Sequence, residues 1–187
     1  LDMTTRGRNV SVIFGDGAGA AVLQQTEDTN HAVLSTHLHS QGKFAKELSL
    51  TSPSTLYWVD AIMEDSPMEN PPYYPYMNGQ FVFKNAVVRF AEVITEGLKA
   101  NQLSPEDVDL FIAHQANLRI AQFVQKKFKW TDDQVYNNIQ NYGNTTAASI
   151  PIALTEAWEK GKVNPGDRIV LSAFGSGFTW GSAIINW

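Results

Sequence analysis

The sequence predicts an α/β protein built on a mixed β-sheet, and three observations lead to this prediction. Strand-like segments come first, helices and strands then alternate, and two apolar strands around a glycine-containing turn close the chain. This order of elements is typical of helices packed on a mixed sheet. No linker divides the 187 residues, so we expect one structural unit.

Composition limits the classes of function. The chain has a formal net charge of -5, which argues against general nucleic-acid binding. It has no apolar run of about 20 residues and no signal-peptide pattern at its start, so we expect a cytoplasmic protein without a membrane partner. It has no cysteine, so it contains no disulfide, no thiolate metal site and no cysteine nucleophile.

The first elements are predicted to be strands. Residues 9–14 and 20–24 are apolar runs joined by Gly15–Gly19, and Asp-Gly between such runs favours a tight hairpin turn. The glycines also fit a phosphate-binding loop, but such a loop should open a helix, and a strand pattern follows instead. Alternating residues predict a strand over 32–39, and 44–50 is a candidate for another.

The segment 51–76 is rich in Pro, Ser, Tyr and Met and is long for a loop, which predicts an insertion or a functional flap. Within it, Leu56, Val59, Ile62 and Met63 have the spacing of a short amphipathic helix.

Residues 78–101 form the clearest predicted helix, because apolar side chains recur there every three or four positions. The members of this stripe are Phe83, Val87, Phe90, Ala91, Ile94 and Leu98. Ser104 followed by Pro105 predicts the start of one short helical turn.

The remaining chain alternates between strands and helices. Strands are predicted over 109–113, 168–174 and 178–186, and a short strand or extended piece over 135–139. Helices are predicted over 117–129 and 147–160, and turns over 141–145 and 164–167. Ile120, Val124 and Phe128 should point inward from the first of these helices. Pro151 fits the second helix if it lies in the first turn.

Three places could carry chemistry. His114 follows the strand 109–113 at the end where ligands gather in open α/β sheets, although a local hydrogen bond would also explain a histidine there. Asn144 lies in a turn, where such side chains often bond their own backbone. Gly175-Ser176-Gly177 could bring backbone N–H groups close to a ligand or simply form a hairpin turn. Phe174 stands where a serine-hydrolase elbow needs glycine, which argues against that chemistry.

His37 and His39 share one predicted strand face, an arrangement that suits a metal ligand pair. No third ligand is near them in the sequence, and a zinc site needs three or four, so we predict no metal.

Four segments in this order carry a family resemblance: Phe14-Gly15-Asp16-Gly17-Ala18-Gly19-Ala20, His114-Gln115-Ala116-Asn117-Leu118-Arg119-Ile120, Asn141-Tyr142-Gly143-Asn144-Thr145 through Ser149-Ile150-Pro151, and Phe174-Gly175-Ser176-Gly177-Phe178-Thr179-Trp180-Gly181. Together they resemble the C-terminal half of β-ketoacyl-acyl-carrier-protein synthase III, the condensing enzyme that starts bacterial fatty-acid synthesis.

The resemblance implies a thiolase-like fold made of two similar halves, of which residues 1–187 would be the C-terminal one. The catalytic cysteine of the family lies in the N-terminal half, so its absence here is expected, and this chain would be part of a longer one. The implied substrates are an acyl-CoA, typically acetyl-CoA, and malonyl-acyl-carrier protein, with no further cofactor. The complete enzyme is expected to be a homodimer.

The resemblance also implies roles for individual residues. His114 and Asn144 would donate hydrogen bonds to the enolate oxygen formed when malonyl thioester loses CO₂. The backbone N–H of Ser176 would contribute to a second oxyanion hole, although glycine is commoner there, and Phe174 would pack beside the cysteine.

Substrate delivery is implied in the same way. Gln80, Phe83, Ala116 and Asn117 would contact the pantetheine arm, with Gln80 standing where asparagine is usual. Lys84 and Arg119 match positions that dock the acidic carrier protein. Nearby positive charges would extend this surface or form an ordinary solvated face; they are Lys126, Lys127 and Lys129.

Two other functions stay open on the sequence. The missing cysteine is compatible with a non-catalytic partner that binds acyl carrier protein. A specialised condensing enzyme of secondary metabolism would share the fold.

Overall fold

The computed structural model describes residues 8–50 and 75–187. The helices are α1 (Arg8–Ser11), α2 (Gly79–Ala100), α3 (Leu118–Phe128), α4 (Ile139–Tyr142) and α5 (Ser149–Glu159). The strands are β1 (Ala32–Ser40), β2 (Leu48–Ser49), β3 (Tyr76–Met77), β4 (Leu110–Ala113), β5 (Val135–Tyr136), β6 (Arg168–Gly175) and β7 (Thr179–Asn186). Short 3₁₀ turns span Gly42–Glu47, Pro105–Asp107, Asp132–Gln134 and Thr146–Ala148.

Five strands form one mixed sheet in the order β1-β7-β6-β4-β5. Strand β4 runs parallel to β5 and β6, whereas β7 runs antiparallel to β1 and β6. The α/β prediction with a mixed sheet is therefore confirmed. Strands β2 and β3 make a separate antiparallel pair.

Helices cover both faces of the sheet, and side chains along each strand alternate between two cores. In β4, Phe111 and Ala113 join the core formed with α2 and α3, while Leu110 and Ile112 join the core formed with α5. All four residues are buried, as a strand covered on both faces should be.

The long helix α2 begins and ends within one residue of the predicted bounds. Asn78 precedes it, and its side chain accepts a hydrogen bond from the Phe81 backbone N–H at 3.4 Å, which is a standard way to start a helix. The predicted stripe faces the core, with Phe83 half-buried and the other five members buried. Pro151 lies in the first turn of α5, where its missing N–H costs no helical hydrogen bond.

The predicted N-terminal hairpin is wrong. Part of residues 9–14 lies in α1, and 20–24 contains no strand. The backbone of this region instead bonds to Asn144, which donates to the carbonyl of Ile13 at 2.9 Å and accepts from Gly15 N–H at 3.0 Å. The apolar residues that suggested a strand remain exposed, since Val22 is 96% and Leu23 83% exposed.

Two shorter predictions need correction. Most of residues 44–50 forms the 3₁₀ turn Gly42–Glu47, because the Phe44 ring turns inward to meet Phe81 and Phe178. Of the short strand or extended piece predicted over 135–139, only Val135–Tyr136 forms strand β5. Helix α4 begins at Ile139 and occupies part of the predicted turn at 141–145. The segment 51–76, for which a short amphipathic helix was predicted, lies outside the described residues except for its last two.

Candidate active site

His114 and the 175–177 turn lie at one edge of the sheet. They follow the parallel neighbours β4 and β6, whose register pairs Ala113 with Ser172. The backbone N–H of His114 donates to the Ser172 carbonyl at 2.8 Å. Parallel strands present their carboxyl ends on the same side, which is where the sequence predicted a ligand site.

The His114 ring is largely buried, with one nitrogen engaged. Its Nδ1 lies 2.6 Å from Oγ of Ser149, the first residue of α5. Burial lowers the pKa of His114 below its usual value, so the ring is neutral at pH 7. Its Nε2 has no hydrogen-bond partner among the described residues and remains available to a substrate.

Asn144 is buried and held by both its backbone and its side chain. Its Oδ1 accepts from the Thr146 backbone N–H at 2.9 Å, which is the local turn bond expected of asparagine. This bond also fixes the orientation of the amide, and the Nδ2 group has no acceptor in the described part of the chain. The turn role and a donor role are therefore compatible in the same residue.

A buried glutamine joins the strand end to the loop before Asn144. Gln115, 3% exposed, donates from Nε2 to the Ala113 carbonyl at 2.8 Å. Its Oε1 accepts from the backbone N–H groups of Asn138 at 3.0 Å and Ile139 at 3.2 Å. These three bonds fix the loop against β4, and so set the position of Asn144 relative to His114.

The glycine run 15–19 lies directly against the Asn144 segment. A Cβ atom at Gly15 would come within 1.9 Å of the Tyr142 carbonyl oxygen, and one at Gly19 within 2.4 Å of Pro151 Cβ. Only glycine permits so close an approach. The run is therefore neither the predicted turn of a hairpin nor a loop that opens a helix.

The 175–177 turn joins β6 to β7, as predicted. The Ser176 side chain donates from Oγ to the Leu48 carbonyl at 2.6 Å, which attaches the turn to β2. The Ser176 carbonyl accepts a hydrogen bond from Thr179 Oγ1 at 2.8 Å, while the Ser176 backbone N–H has no acceptor among the described residues. Phe174, 6% exposed, packs in the core with its ring 4.9 Å from that of Phe178.

The residues implied in substrate delivery lie at the starts of two helices. Gln80 is exposed and Phe83 half-buried in the first two turns of α2. Ala116 is half-buried just before α3, and Asn117 caps that helix by accepting from the Arg119 backbone N–H at 3.0 Å.

The five basic side chains that the sequence linked to carrier-protein docking are all exposed, on α2, on α3 and at the residue that follows α3. They are Lys84, Arg119, Lys126, Lys127 and Lys129, and none forms an ion pair with a described residue. Their charges therefore face solvent without a neutralising partner in this part of the chain.

The two histidines of β1 share a carboxylate. His39 Nε2 lies 2.6 Å and His37 Nδ1 3.3 Å from the Glu96 oxygens, and the hydrogen bond to His39 lowers the pKa of Glu96. Within 8–50 and 75–187, no three His, Cys, Asp or Glu residues are arranged to hold a metal ion. No helix in those ranges is both long and apolar enough to cross a membrane.

A groove of about 610 Å³ lies away from this site, between α2 and α3. Its lining includes Val88 and Phe123 but none of the residues that face His114 or Asn144. The unengaged hydrogen-bond donors of His114 and Ser176 lie at the sheet edge and not in this groove.

Ser149 and Gln115 were assigned no role from the sequence. Both lie within the segments that carried the family resemblance, but their contacts join residues 34 and 23 positions apart. No spacing rule predicts such contacts. For Ser149, the only signal in the sequence was a polar residue in the first turn of the helix that follows Asn144.

Known proteins match the chain over most of its length. A family model described as 3-Oxoacyl-[acyl-carrier-protein (ACP)] synthase III C terminal matches residues 98–187, and one described as 3-Oxoacyl-[acyl-carrier-protein (ACP)] synthase III matches residues 1–42. The beta-ketoacyl-[acyl-carrier-protein] synthase III of Rhodospirillum centenum is 44% identical over 191 residues, covering 100% of this chain and 54% of that protein. The same-named protein of Aliivibrio fischeri is 41% identical over 180 residues, covering 96% and 53%.

Solved structures agree with the sequence relatives. The 3-oxoacyl-[acyl-carrier-protein] synthase III of Aquifex aeolicus superposes with a TM-score of 0.83 at 38% identity, covering 96% of this chain and 52% of that one. The corresponding enzyme of Thermus thermophilus gives a TM-score of 0.81 at 33% identity, with 100% and 55% covered. The chain spans about half the length of the curated relatives it matches.

Proposed function

The chain belongs to the 3-oxoacyl-[acyl-carrier-protein] synthase III family, and from this premise we propose that it supplies the decarboxylation half of a condensing active site. The reaction is a decarboxylative Claisen condensation of an acyl-CoA, typically acetyl-CoA, with malonyl-acyl-carrier protein. The names of the relatives support the carrier protein as a partner, and no further cofactor is required.

The first step needs a nucleophile from outside these residues. An acyl group passes from CoA to a cysteine thiol, with release of free CoA. Because the 187 residues contain no cysteine, that thiol must come from the half of the enzyme that this chain does not match. The isolated chain is therefore proposed to be inactive.

The second step uses His114 and Asn144. When the malonyl thioester loses CO₂, its electrons move onto the thioester oxygen and form an enolate. A neutral imidazole with hydrogen on Nε2 and an amide with free Nδ2 hydrogens are two donors suited to that oxygen. The absence of other partners for these atoms is the observation that carries the proposal.

The third step joins the two carbon chains. The enolate carbon attacks the acyl-cysteine carbonyl, and negative charge develops on that carbonyl oxygen. The unpartnered backbone N–H of Ser176 is the donor proposed to receive it. Collapse of this intermediate expels the cysteine thiolate and leaves the 3-oxoacyl product on the carrier protein.

Delivery of the substrate would use the residues at the helix starts. Gln80, Phe83, Ala116 and Asn117 are proposed to contact the pantetheine arm. The unpaired charges of Lys84 and Arg119 are proposed to dock the carrier protein, whose acidic surface complements them. A homodimeric complete enzyme is proposed on the resemblance alone, and a cytoplasmic location on the sequence pattern described above.

Reconstitution tests this function. The assembled enzyme, meaning this chain together with the cysteine-bearing half, is given acetyl-CoA and malonyl-acyl-carrier protein, and the carrier-bound product is weighed by mass spectrometry. We expect a 3-oxoacyl product from the assembly and no covalent acyl group on the isolated chain. Failure of the assembly to condense, or acyl label on the isolated chain, would contradict the proposal.

A non-catalytic role as a carrier-protein partner is favoured only by the missing cysteine. The same reconstitution separates the two functions, because such a partner would bind carrier protein without supporting condensation.

A further inference from the structure

Ser149 contacts the His114 ring at Nδ1, the nitrogen that is not free. Its Oγ lies 2.6 Å from Nδ1, and the residue is only 2% exposed. The same Oγ accepts a hydrogen bond from the backbone N–H of Gln115 at 3.3 Å. The hydroxyl thus has two neighbours and one hydrogen atom to donate.

These two contacts decide which atom carries the hydrogen between Ser149 and His114. If Nδ1 carried it, Oγ would accept twice, and its own hydrogen would have no acceptor among the described residues. A buried donor without a partner is strongly disfavoured. Every group is satisfied only when Oγ–H donates to an unprotonated Nδ1, which leaves the hydrogen of the neutral ring on Nε2.

We propose that Ser149 is a positioning residue that keeps His114 in the Nε2–H tautomer and directs this hydrogen toward the substrate oxygen. The inference rests on the proposed function, since it concerns the donor used during decarboxylation. Ser149 itself does not touch the substrate, because its hydroxyl is buried behind the ring. Ser149 also links the two proposed donors, because it contacts His114 and begins α5, the helix that directly follows the turn containing Asn144.

Two variants in the assembled enzyme test this role. Ser149→Ala removes the hydroxyl at a helical position that suits alanine, and Ser149→Thr retains a hydroxyl. We expect Ser149→Ala to lower kcat for malonyl decarboxylation roughly tenfold, a factor typical of losing one hydrogen bond at a buried group, with KM little changed. Acyl loading should stay at the wild-type rate, and Ser149→Thr should restore most of the decarboxylation.

The tautomer itself gives a second readout that a merely structural role would not move. Nitrogen-15 NMR of histidine-labelled wild-type enzyme should show the His114 hydrogen on Nε2, and this holds whether or not either variant folds. A hydrogen on Nδ1, or an unchanged decarboxylation rate in Ser149→Ala, would overturn the inference. If the wild-type enzyme did not decarboxylate malonyl thioester, the proposed function would be wrong. The NMR spectrum would still show which nitrogen of His114 carries the hydrogen.

Discussion

Asn144 offers the sharpest separation of a structural role from a catalytic one. Its Oδ1 holds the Thr146 backbone N–H, while its Nδ2 has no partner in the described chain. The substitution Asn144→Asp keeps an oxygen for Thr146 and almost the same side-chain volume. It removes the proposed donor to the enolate and replaces the neutral amide with a carboxyl group.

The expected loss follows from that single donor. Removing one donor of an oxyanion hole typically costs about 3–4 kcal/mol, or a factor of about 10²–10³ in rate. The new carboxylate also repels the developing enolate, so we expect malonyl decarboxylation near the upper end of this range of loss. The Thr146 bond survives, but a buried, unpaired carboxylate replaces a neutral amide, so we expect the free energy of unfolding to fall by about 1–3 kcal/mol.

The assay measures CO₂ release from malonyl-acyl-carrier protein by the assembled enzyme, with urea denaturation alongside. Asn141→Asp is the matched control, since it adds the same charge at an exposed position of α4, three residues before Asn144, where no side-chain bond is lost. The control should retain decarboxylation within about twofold, far from the loss expected for a donor. Wild-type decarboxylation in Asn144→Asp, or an equal loss in Asn141→Asp, would refute the reasoning.

Two further predictions concern the support of the site. Replacing Gln115 by Leu leaves three backbone groups without their side-chain partner. We therefore expect the free energy of unfolding, measured by urea denaturation, to fall by at least about 2 kcal/mol. An unchanged urea midpoint would show that the loop does not depend on this residue. Burial lowers the pKa of His114 below 6.5, so in the window just below that value the unfolded chain binds a proton that the folded chain does not. Stability should therefore decline as the pH falls through 6.5, and His114→Gln should show a shallower decline. Identical slopes would contradict the pKa shift.

Sequence patterns correctly predicted the elements whose apolar side chains are buried against other parts of this chain. The stripe along α2 works because Val87, Phe90 and Ile94 pack on the sheet within this chain. The hairpin prediction failed because Val22 and Leu23, although apolar, are covered by nothing in the described residues. A hydrophobic pattern predicts that a side chain will be buried but does not identify what buries it.

In the candidate site, some residues were also predictable from the sequence and others were not. His114 and Asn144 were found from a strand end, a turn and a family resemblance, and the structure adds which of their atoms are engaged and which remain free. The contributions of Ser149 and Gln115 depend on atoms brought together when α5 and the loop after β5 pack against the end of β4. Such contacts follow from the fold and not from any local pattern.

The most direct test of the central claim separates the two half-reactions in the assembled enzyme carrying His114→Ala. The loss of the proposed enolate donor should slow malonyl decarboxylation by about 10²–10³, while acyl transfer from acetyl-CoA to the cysteine proceeds within about threefold of the wild-type rate. An equal loss of both half-reactions, or none in decarboxylation, would contradict the assignment of His114 to the decarboxylation step.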